Sequence, residues 1–516
     1  MQRRDFLRLL GAGTAVAVEF AEARPPSSGP GLGHYAPVTS NKYGLLECSD
    51  SNLLRALSRS RTGIFACTMN DQTHCADSGK KWGATSWLND LYFGLHGGFF
   101  IGGADQHDVF RKELKKIAQH VQASPGRPPV PYGVSADGRS ALFNPDEGFD
   151  LDRCAEFVLE VVRVYEMTGD RAFASDLYPL CVQVVDFLAK RDLDGDLLLE
   201  GRTESFTDPP GTGVGACSSL TYIGDTTANT WKDFGASMFY YEAMRKLALL
   251  ESILGMKVES DRRFQQAAQV RKSIQRILWN DKTGGFLAWV EKNGKPHDDW
   301  ITGNNLHAVA CGLADGEQSR QILQTLESHR QELEEVVPCR VRMGVYAQGL
   351  CSNRPDYYWN GGIWPLVSAP DMRARGLMGD ATGALRVADL LATRPKVTET
   401  GFFEAYDGKT GAPNDCAGLL MNNGGFLWGF FEGVMGVEVR GDEIRLRASV
   451  PKRILPAKAR IHYRGADLEI RWLVGTNLSV SLDGKSIALG SDGYYQLKLT
   501  PELHRTYRVE MAQTAS

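Results

Sequence analysis

The feature that most limits the fold of this chain is a long succession of amphipathic helical segments, from Ser51 to about Gly436. The clearest is residues 151–167, LDRCAEFVLEVVRVYEM, where apolar residues recur every three or four positions. After it, Gly169 suits a left-handed helix end and Asp170 suits the N-cap of the next helix. About a dozen helices are predicted, beginning near Ser51, Ser86, His107, Leu151, Arg171, Asn229, Ser260, Asn304, Glu317, Gly361, Ala381 and Asn422.

Helices that pair through short glycine turns build a curved stack or a closed ring. The period is too irregular for tetratricopeptide or ankyrin repeats, which favours a closed (α/α)6 toroid of six hairpins over residues 44–436. Two long segments rich in Gly, Pro, Ser and Thr, residues 201–227 and 397–423, interrupt the helices. Long loops in a compact domain are usually functional, so we expect both at one mouth of the ring.

After about Val437 the pattern changes to strict alternation of apolar and polar residues, separated by Gly, Asp and Asn turns. Segments such as RIHYRGADLEIRWL and YYQLKL are typical of half-buried strands. The sequence therefore predicts a mainly α protein with a small C-terminal antiparallel β-sandwich at residues 437–516.

The N-terminus has the pattern of an export signal. Arg3 and Arg4 form a twin-arginine motif, a short apolar stretch follows, and residues 21–23 offer a small-residue cleavage site. We expect a signal peptide at 1–23, a flexible lead-in at 24–43, and a periplasmic or secreted protein. The alternative is a frayed amphipathic N-terminus. The apolar run is far shorter than the ~20 residues of a membrane span, so no membrane anchoring is expected after cleavage.

Composition and charge argue against nucleic acid as a partner. Hydrophobic residues make up 43% of the chain and charged residues 23%, as in globular proteins, and the net charge is −4. No concentrated basic stripe is present, so nucleic acid is not expected as a partner. The oligomeric state stays open.

Two aromatic segments are candidates for binding sugar. In the first, Trp87 precedes Asp90 at the start of a helix, and tryptophan faces stack on sugar rings while a carboxylate accepts sugar hydroxyls. The alternative there is that Trp82 and Trp87 form a core tryptophan pair and that the Asp is solvated. The second segment, at 357–365, combines three aromatics with an Asn and two glycines, and its alternative is an aromatic turn packed into the core. Its candidate sugar contacts are Tyr358, Trp359, Asn360 and Trp364.

Two further segments supply carboxylates suited to acid–base chemistry. Asp225 lies in the first long loop, where partial desolvation would suit a general acid, although it is also placed to cap a helix. Glu204 and Asp208 are rival acids in the same loop, and Glu204 is also a candidate sugar contact. Glu404 lies between aromatics in the second long loop and is placed to activate a water, unless it is an exposed residue of a hairpin.

No metal or cofactor is predicted. Residues 192–196, DLDGD, with Glu200 following, loosely resemble a calcium loop, but they lack the twelve-residue pattern and follow a helix end. An acidic turn that ends a helix is the favoured interpretation. The sequence contains no G-x-S-x-G, no G-x-G-x-x-G and no phosphate loop.

Together these segments resemble the six-hairpin glycosidases, which include trehalases, processing-type α-glucosidases, α-rhamnosidases and related phosphorylases. The resemblance covers most of the chain from about Gly44, and five segments carry it: YYWNGGIWP (357–365), LWNDKTGGFLAW (278–289), YEMTGDRAF (165–173), GFFEAYDGKTGAP (401–413) and NNGGFLWGFFEGVMGVEV (422–439). Two departures from the group are visible. Its Gly-Trp-Asp element is Ile223-Gly224-Asp225 here, and its tryptophan-arginine-aspartate element is altered to residues 87–90, WLND.

The resemblance implies an inverting glycoside hydrolase that acts on an oligosaccharide or glycoside. It places the catalytic base on Glu404, with Asp225 as the acid that protonates the leaving oxygen. Three alternatives remain: a six-hairpin phosphorylase, a helical-toroid polysaccharide lyase with a Tyr or His base, and a non-catalytic sugar-binding protein.

Overall fold

The structure is a computed structural model. It describes residues 43–44, 46–69, 72–76, 85–121, 128–135, 138–143, 151–201, 231–298, 300–342, 355–447, 450–475, 477–499 and 505–514. The predicted signal peptide, and all but the last residue of the predicted lead-in, lie outside these ranges.

Among the described residues up to 434, most lie in helices. Within the described ranges there are twelve α-helices: α1 (Ser51–Ala66), α2 (Leu88–Ile101), α3 (Ala104–Ala118), α4 (Leu151–Thr168), α5 (Arg171–Ala189), α6 (Phe234–Leu254), α7 (Lys257–Leu278), α8 (Thr302–Ala310), α9 (Gly316–Glu332), α10 (Ser368–Leu377), α11 (Ala381–Thr393) and α12 (Leu420–Trp428). A π-helical segment, Gly429–Val434, continues α12, and 3-10 turns cover Pro365–Val367 and Lys452–Ile454.

The predicted connectors between helices are present. Gly169 and Gly379 both have positive φ, +69° and +82°, a conformation that glycine adopts without strain. The Asp170 side chain accepts from the Phe173 N–H, and Asp380 accepts from Gly383 in the same way. These caps fix where α5 and α11 begin.

One predicted helix start is seven residues early. The helix expected near Gly361 begins at Ser368, after the 3-10 turn Pro365–Val367. Proline disfavours helical geometry in the residue before it, so Trp364 is extended and the α-helix starts later.

Six of the helices contact one another in a cycle: α2 with α4, α4 with α6, α6 with α8, α8 with α10, α10 with α12, and α12 with α2. The other six each pack against members of this inner set. Every residue of α2, α8 and α12 is buried, whereas α7 buries seven of its 22 residues. A helix that is buried all round belongs to the interior, so the main core lies among the inner six.

The segments that precede the inner helices are joined by short strands. These are β1 (Thr68–Met69), β2 (Gln72–Thr73), β3 (Ser86–Trp87), β4 (Gly133–Val134), β5 (Ala141–Leu142), β6 (Lys232–Asp233), β7 (Trp279–Asn280), β8 (Gly285–Phe286), β9 (Trp289–Val290), β10 (Pro296–His297), β11 (Phe403–Tyr406) and β12 (Pro413–Ala417). The pairs are β1–β2, β7–β8 and β11–β12, and the triplets are β3–β4–β5 and β10–β9–β6. Isolated bridges link Ile363 with Tyr406 and with Arg340. The strands therefore bring the starts of several inner helices together.

After residue 436, most of the described residues lie in strands. They are β13 (Val437–Arg440), β14 (Glu443–Arg447), β15 (Ala457–Tyr463), β16 (Ala466–Gly475), β17 (Ser479–Leu482), β18 (Lys485–Ile487), β19 (Tyr494–Leu497) and β20 (Thr506–Thr514). They form a three-stranded sheet in the order β13–β14–β19 and a five-stranded sheet in the order β15–β16–β20–β17–β18.

The prediction of purely antiparallel pairing is wrong at one position. β16 and β20 are parallel, from Asp467 opposite Thr506 to Gly475 opposite Thr514. The chain between them includes three other strands, a connection long enough to return the chain in the same direction. Alternation of apolar and polar residues identifies a strand but carries no information about the direction of its partner.

Among the described residues, one helix is long and apolar enough to cross a bilayer by length and composition: α5, Arg171–Ala189. Half of its apolar window is buried, and α5 packs against α3, α4 and α6. A core helix passes the same test.

Candidate functional site

Glu404 lies on β11, in the hairpin that leads directly into α12. Its side chain is buried, with 4% exposure, so the alternative of an exposed hairpin glutamate is wrong. The Asn422 side chain, in the first turn of α12, donates to the carbonyl oxygens of Phe403 (2.6 Å) and Glu404 (2.8 Å). These two bonds fix the backbone that carries the carboxylate to the inner helix.

The Glu404 carboxylate accepts a hydrogen bond on each oxygen. The Tyr358 hydroxyl donates to Oε1 at 3.4 Å, and the Cys416 thiol donates to Oε2 at 3.5 Å. Tyr358 and Cys416 are both partly exposed, so the carboxylate lies just beneath the protein surface. The structure thus brings Glu404 together with one predicted sugar contact, Tyr358.

Part of the predicted sugar-binding segment at 357–365 is buried in the core. Trp359 and Trp364 are 3% and 2% exposed, and their rings stack at 4.3 Å with an angle of 11°. Tyr358 packs edge-on against Trp364 at 4.8 Å. Because the two tryptophans cover one another's faces, Tyr358 and the half-buried Asn360 are the predicted contacts that reach solvent here.

Arg340 anchors the loop that carries Tyr358 through hydrogen bonds. Its Nε donates to the Gly361 carbonyl at 3.0 Å, its Nη1 donates to the Leu333 carbonyl at 2.8 Å, and its Nη2 binds the Asp356 carboxylate. Tyr358 itself has φ +51°, an uncommon conformation for a bulky residue. Strained backbone of this kind persists where the surroundings over-determine it, often at functional sites.

Trp87 and Asp90 lie at the start of α2. Trp87 stacks on Tyr132 at 5.5 Å, and the Arg153 guanidinium lies 5.3 Å from the centre of the same tyrosine ring. Asp90 is 2% exposed, which contradicts a solvated Asp at that position. Its place in the first turn of α2 suits a carboxylate, since the helix dipole is positive there.

Backbone hydrogen bonds connect the start of α2 with the Glu404 hairpin. Thr85 accepts from the Cys75 N–H, and the Cys75 carbonyl accepts from the N–H of Leu420, the first residue of α12. Trp87 and Glu404 therefore lie on segments that are joined through residues 75 and 420.

The candidate acids Asp225, Glu204 and Asp208 lie outside the described residues. The two residues that flank their segment, Gly201 and Trp231, are hydrogen-bonded to each other at 2.6 Å. Lys232 and Asp233 then form β6 and lead into inner helix α6.

Sequence reasoning missed Cys416. The register of β11 and β12 shifts between Phe403 and Ala405, so that Asp415 and Cys416 together oppose the single residue Glu404. Such a bulge re-aims a side chain and is common beside active sites. A hairpin was one interpretation of this segment, but the bulge that brings Cys416 to Glu404 leaves no local signal.

Sequence reasoning also missed a group of buried carboxyls on α4. Asp152, Glu156 and Glu160 recur every four residues, and none of the three is exposed. Burial, together with the charges of Glu156 and Glu113, raises the pKa of Glu160 well above its ordinary value. Four-residue spacing of acids within an apolar helix was the available signal.

Glu113, on α3, belongs to the same region. Burial raises its pKa to about 7, although hydrogen bonds from Ser86 and Thr73 act in the opposite direction. Ser86 immediately precedes Trp87, so this carboxyl supports the strand that leads into α2.

The carboxylates of the acidic turn at residues 192–200 are neutralised by a lysine of the same chain, Lys232. The Lys232 ammonium donates to Asp194 at 2.6 Å and to Asp196, and lies 3.5 Å from Glu200. Asp192 accepts from the N–H groups of Gly195 and Leu197. These contacts support a helix-ending acidic turn over a calcium loop.

A second group with metal-ligand chemistry, Glu242, His307 and Cys311, lies buried between α6 and α8. His307 Nε2 is 2.7 Å from Glu242 Oε2. Burial opposes ionisation of Glu242, yet the charge and hydrogen bond of His307, with Arg373 and Lys246, lower its pKa to about 2. The carboxylate is already balanced by cations, which weakens the case for a metal ion.

Known proteins resemble part of this chain in sequence and most of it in fold. Residues 218–428 match the family model of the mannosylglycerate hydrolase MGH1-like glycoside hydrolase domain. Over that range the chain is similar to a glycoside hydrolase domain. The match includes Tyr358, Glu404 and Cys416, together with the segment that holds Asp225, and it begins after Trp87 and Asp90.

Three solved structures share the fold of this chain. A GH78 family rhamnosidase of Bacillus sp. GL1 has a TM-score of 0.58 and 16% identity, over 84% of this chain and 42% of the rhamnosidase. A rhamnosidase from Klebsiella oxytoca, with rhamnose bound, gives 0.54 and 15% over 76% and 66%. The GH63 mannosylglycerate hydrolase from Thermus thermophilus, in complex with glucose, gives 0.53 and 16% over 72% and 99%. At these identities the likeness concerns the fold, and this chain spans less than half the length of the Bacillus rhamnosidase.

Proposed function

We propose that this protein is an inverting glycoside hydrolase in which Glu404 is the general base. The observation that carries the proposal is the Glu404 carboxylate itself, which is buried beside the partly exposed Tyr358 and accepts a hydrogen bond on each oxygen. A general base works best when its orientation is fixed and it is within reach of the attacking water. The hairpin and the two donors supply that fixed orientation.

The acid is proposed to come from the segment between Gly201 and Trp231, with Asp225 preferred over Glu204 and Asp208. Inverting enzymes hold their two carboxyls about 6.5–9.5 Å apart, which leaves room for the water. Asp225 would protonate the leaving glycosidic oxygen while Glu404 takes a proton from the water on the opposite face of the sugar. No metal and no cofactor is needed for these two proton transfers.

The similarity of residues 218–428 to a glycoside hydrolase domain supports a carbohydrate substrate, and we propose an oligosaccharide or a glycoside. Tyr358 and Asn360 would contact the sugar directly, while the stacked Trp359 and Trp364 would hold the segment at 357–365 rigid. Trp87, Asp90 and Glu204 are proposed as the remaining sugar contacts. The names of the solved relatives make rhamnosides and glycosyl glycerates the first substrates to try.

The architecture that goes with this function is an (α/α)6 toroid over residues 44–436, with a β-sandwich at 437–516. The cyclic contacts of the six inner helices and the two C-terminal sheets support that division. A twin-arginine signal at 1–23 would deliver the folded enzyme to the periplasm or the medium, free of a membrane anchor.

The test is a screen of aryl glycosides and glycosyl glycerates with the wild-type protein and Glu404→Gln. We expect hydrolysis of at least one substrate, and a loss of about a thousandfold or more in kcat for Glu404→Gln, because an amide cannot take the water's proton. Glu399→Gln is the matched control, since Glu399 is an exposed residue of the same loop that pairs with Arg59. Full activity of Glu404→Gln would overturn the proposal.

The same screen separates the alternatives. Turnover that requires phosphate would identify a phosphorylase, and an unsaturated product from an acidic polysaccharide would identify a lyase. Sugar binding without turnover would identify a binding protein. Near Trp359, the described residue Arg340 is already engaged by Asp356 and Gly361, which does not favour a basic lyase cleft.

A further inference from the structure

We infer that Cys416 is a positioning residue for Glu404, whose thiol holds the carboxylate in the orientation needed to take a proton from water. The inference rests on the proposed function, in which Glu404 is the general base. Its geometric basis is the donation from Cys416 Sγ to Glu404 Oε2 at 3.5 Å.

The contact is built into the hairpin. Regular pairing would set one residue of β12 opposite Glu404, but the register shift opposes it with both Asp415 and Cys416. The extra residue bends the strand, and Cys416 approaches the carboxylate from the side of Oε2. Asn422 holds the neighbouring backbone through the carbonyls of Phe403 and Glu404, so the point from which the Glu404 side chain extends is fixed.

The two donors on Glu404 act on different oxygens. Tyr358 reaches Oε1 from the loop at 356–361, and Cys416 reaches Oε2 from the hairpin's own second strand. A carboxylate that is held at both oxygens cannot rotate about its terminal bond without losing a hydrogen bond. A thiol is a weak donor, so it orients the carboxylate and leaves its lone pairs available to a water.

Hydrogen bonds to the charged form of a carboxyl favour that form. Removing the thiol proton should therefore move the acid limb of the kcat/KM profile, which reports the base in the free enzyme, to higher pH. For Cys416→Ala we expect an upward shift of about 0.5 to 1 pH unit, together with a several-fold fall in kcat. Cys416→Ser keeps a donor at the same place, so its acid limb should stay within about 0.2 unit of wild type.

The experiment measures pH–rate profiles for wild type, Cys416→Ala, Cys416→Ser and Cys48→Ala, with the melting temperature of each. Cys48 is the matched control, because it is also a partly exposed cysteine but lies beside Asp50, before α1. The expected result is a shifted limb for Cys416→Ala alone. An acid limb of the kcat/KM profile that stays at the wild-type pH in Cys416→Ala overturns the inference. An equal shift of that limb in Cys416→Ser also overturns it, because the shift would then come from altered packing and not from the loss of a hydrogen-bond donor.

Failure of this inference is distinguishable from failure of the proposed function. If Glu404→Gln is inactive while Cys416→Ala keeps the wild-type profile, Glu404 remains the base and only the role of Cys416 is lost. If Glu404→Gln keeps full activity, the proposed function is lost, and the Cys416 inference with it.

Discussion

Among single residues, several carboxyl groups of this protein are buried away from water. Glu404 is buried with a hydrogen bond on each oxygen, whereas Glu113 and Glu160 are buried next to other acids. Burial of a carboxyl disfavours its charged form, and nearby acids add to the effect. The interior therefore contains carboxyls whose protonation is linked to folding.

Glu113 gives a prediction about stability and pH. Its pKa is raised to about 7 in the folded protein, so its contribution to stability is fully present below its unfolded pKa and is lost as the pH rises through 7. From pH 5 to pH 8 the loss due to this group should be about 2 to 3 kcal/mol. Glu113→Gln has no proton to release at this position. From pH 5 to pH 8 its free energy of unfolding in urea should therefore fall by about 2 to 3 kcal/mol less than that of the wild type.

The control for this prediction is Glu399→Gln, which removes an exposed carboxylate and should leave the pH dependence of the wild type unchanged. Equal slopes for Glu113→Gln and wild type between pH 5 and pH 8 would show that Glu113 does not titrate in this range.

At the scale of elements, the site depends on two loops that touch. The β11–β12 hairpin and the loop at 356–361 are joined by the bridge between Ile363 and Tyr406 and by the donation from the Gly408 N–H to the Asp356 carbonyl. Gly408 is needed for this approach, because a Cβ there would lie 1.8 Å from the Gly361 carbonyl oxygen. The position of Tyr358 beside Glu404 therefore depends on a glycine in the other loop.

Gly408→Ala should push the two loops apart. We expect a loss of about 1 to 3 kcal/mol in the free energy of unfolding, as in other overpacked sites, and at least a tenfold fall in kcat/KM. Gly316→Ala is the control, since a Cβ at Gly316 meets open space at the start of α9 and should be neutral or slightly stabilising. Urea unfolding and a rate assay measure both; a Gly408→Ala protein as stable and active as wild type would contradict the contact.

The sequence predicts helices better than it predicts contacts between strands, for a physical reason. Caps such as Asp170 and Asp380 lie within three residues of the groups they bind, so local sequence determines them. The parallel pairing of β16 with β20, by contrast, joins residues 39 positions apart, as Asp467 and Thr506 are. The bulge at Cys416 likewise depends on register, which alternation alone does not fix.

At the site, aromatic residues and Glu404 were predictable as residue types but not as an arrangement. Nothing local distinguishes Trp359, which is covered by Trp364, from Tyr358, which reaches both solvent and Glu404. Burial is a property of the whole fold, and so is the pairing of Glu404 with donors from 46 and 12 residues away.

At the scale of the whole molecule, the C-terminal sheets attach to the end of the helices that is remote from Glu404. α12 begins at Leu420, beside the Glu404 hairpin, and its π-helical continuation ends at Val434. There Arg447, on β14, donates to the carbonyls of Glu432 (2.7 Å) and Gly433 (3.0 Å). The sheets thus cap the far end of the same helical segment that supports the site.

Arg447→Met should lower the free energy of unfolding, because it removes both of these hydrogen bonds. The two carbonyls are buried, and a buried acceptor that loses its partner costs about 1–3 kcal/mol, so we expect a total loss of about 2 to 4 kcal/mol. Arg505→Met is the control, because Arg505 forms a half-exposed pair with Asp483 within the sheets and should cost at most about 1 kcal/mol. Equal unfolding midpoints in urea for the two variants would show that Arg447 does not join the sheets to the helices.

The configuration of the sugar first released shows whether Glu404 activates a water for inverting attack. The measurement is a proton NMR time course with the best substrate from the screen, recorded before mutarotation, for wild type and Glu404→Gln. We expect the wild type to release first the anomer opposite to the substrate's linkage, and Glu404→Gln to release none. A first product with the substrate's own configuration would contradict it, because retention requires a covalent intermediate on a nucleophile rather than a water activated by a base.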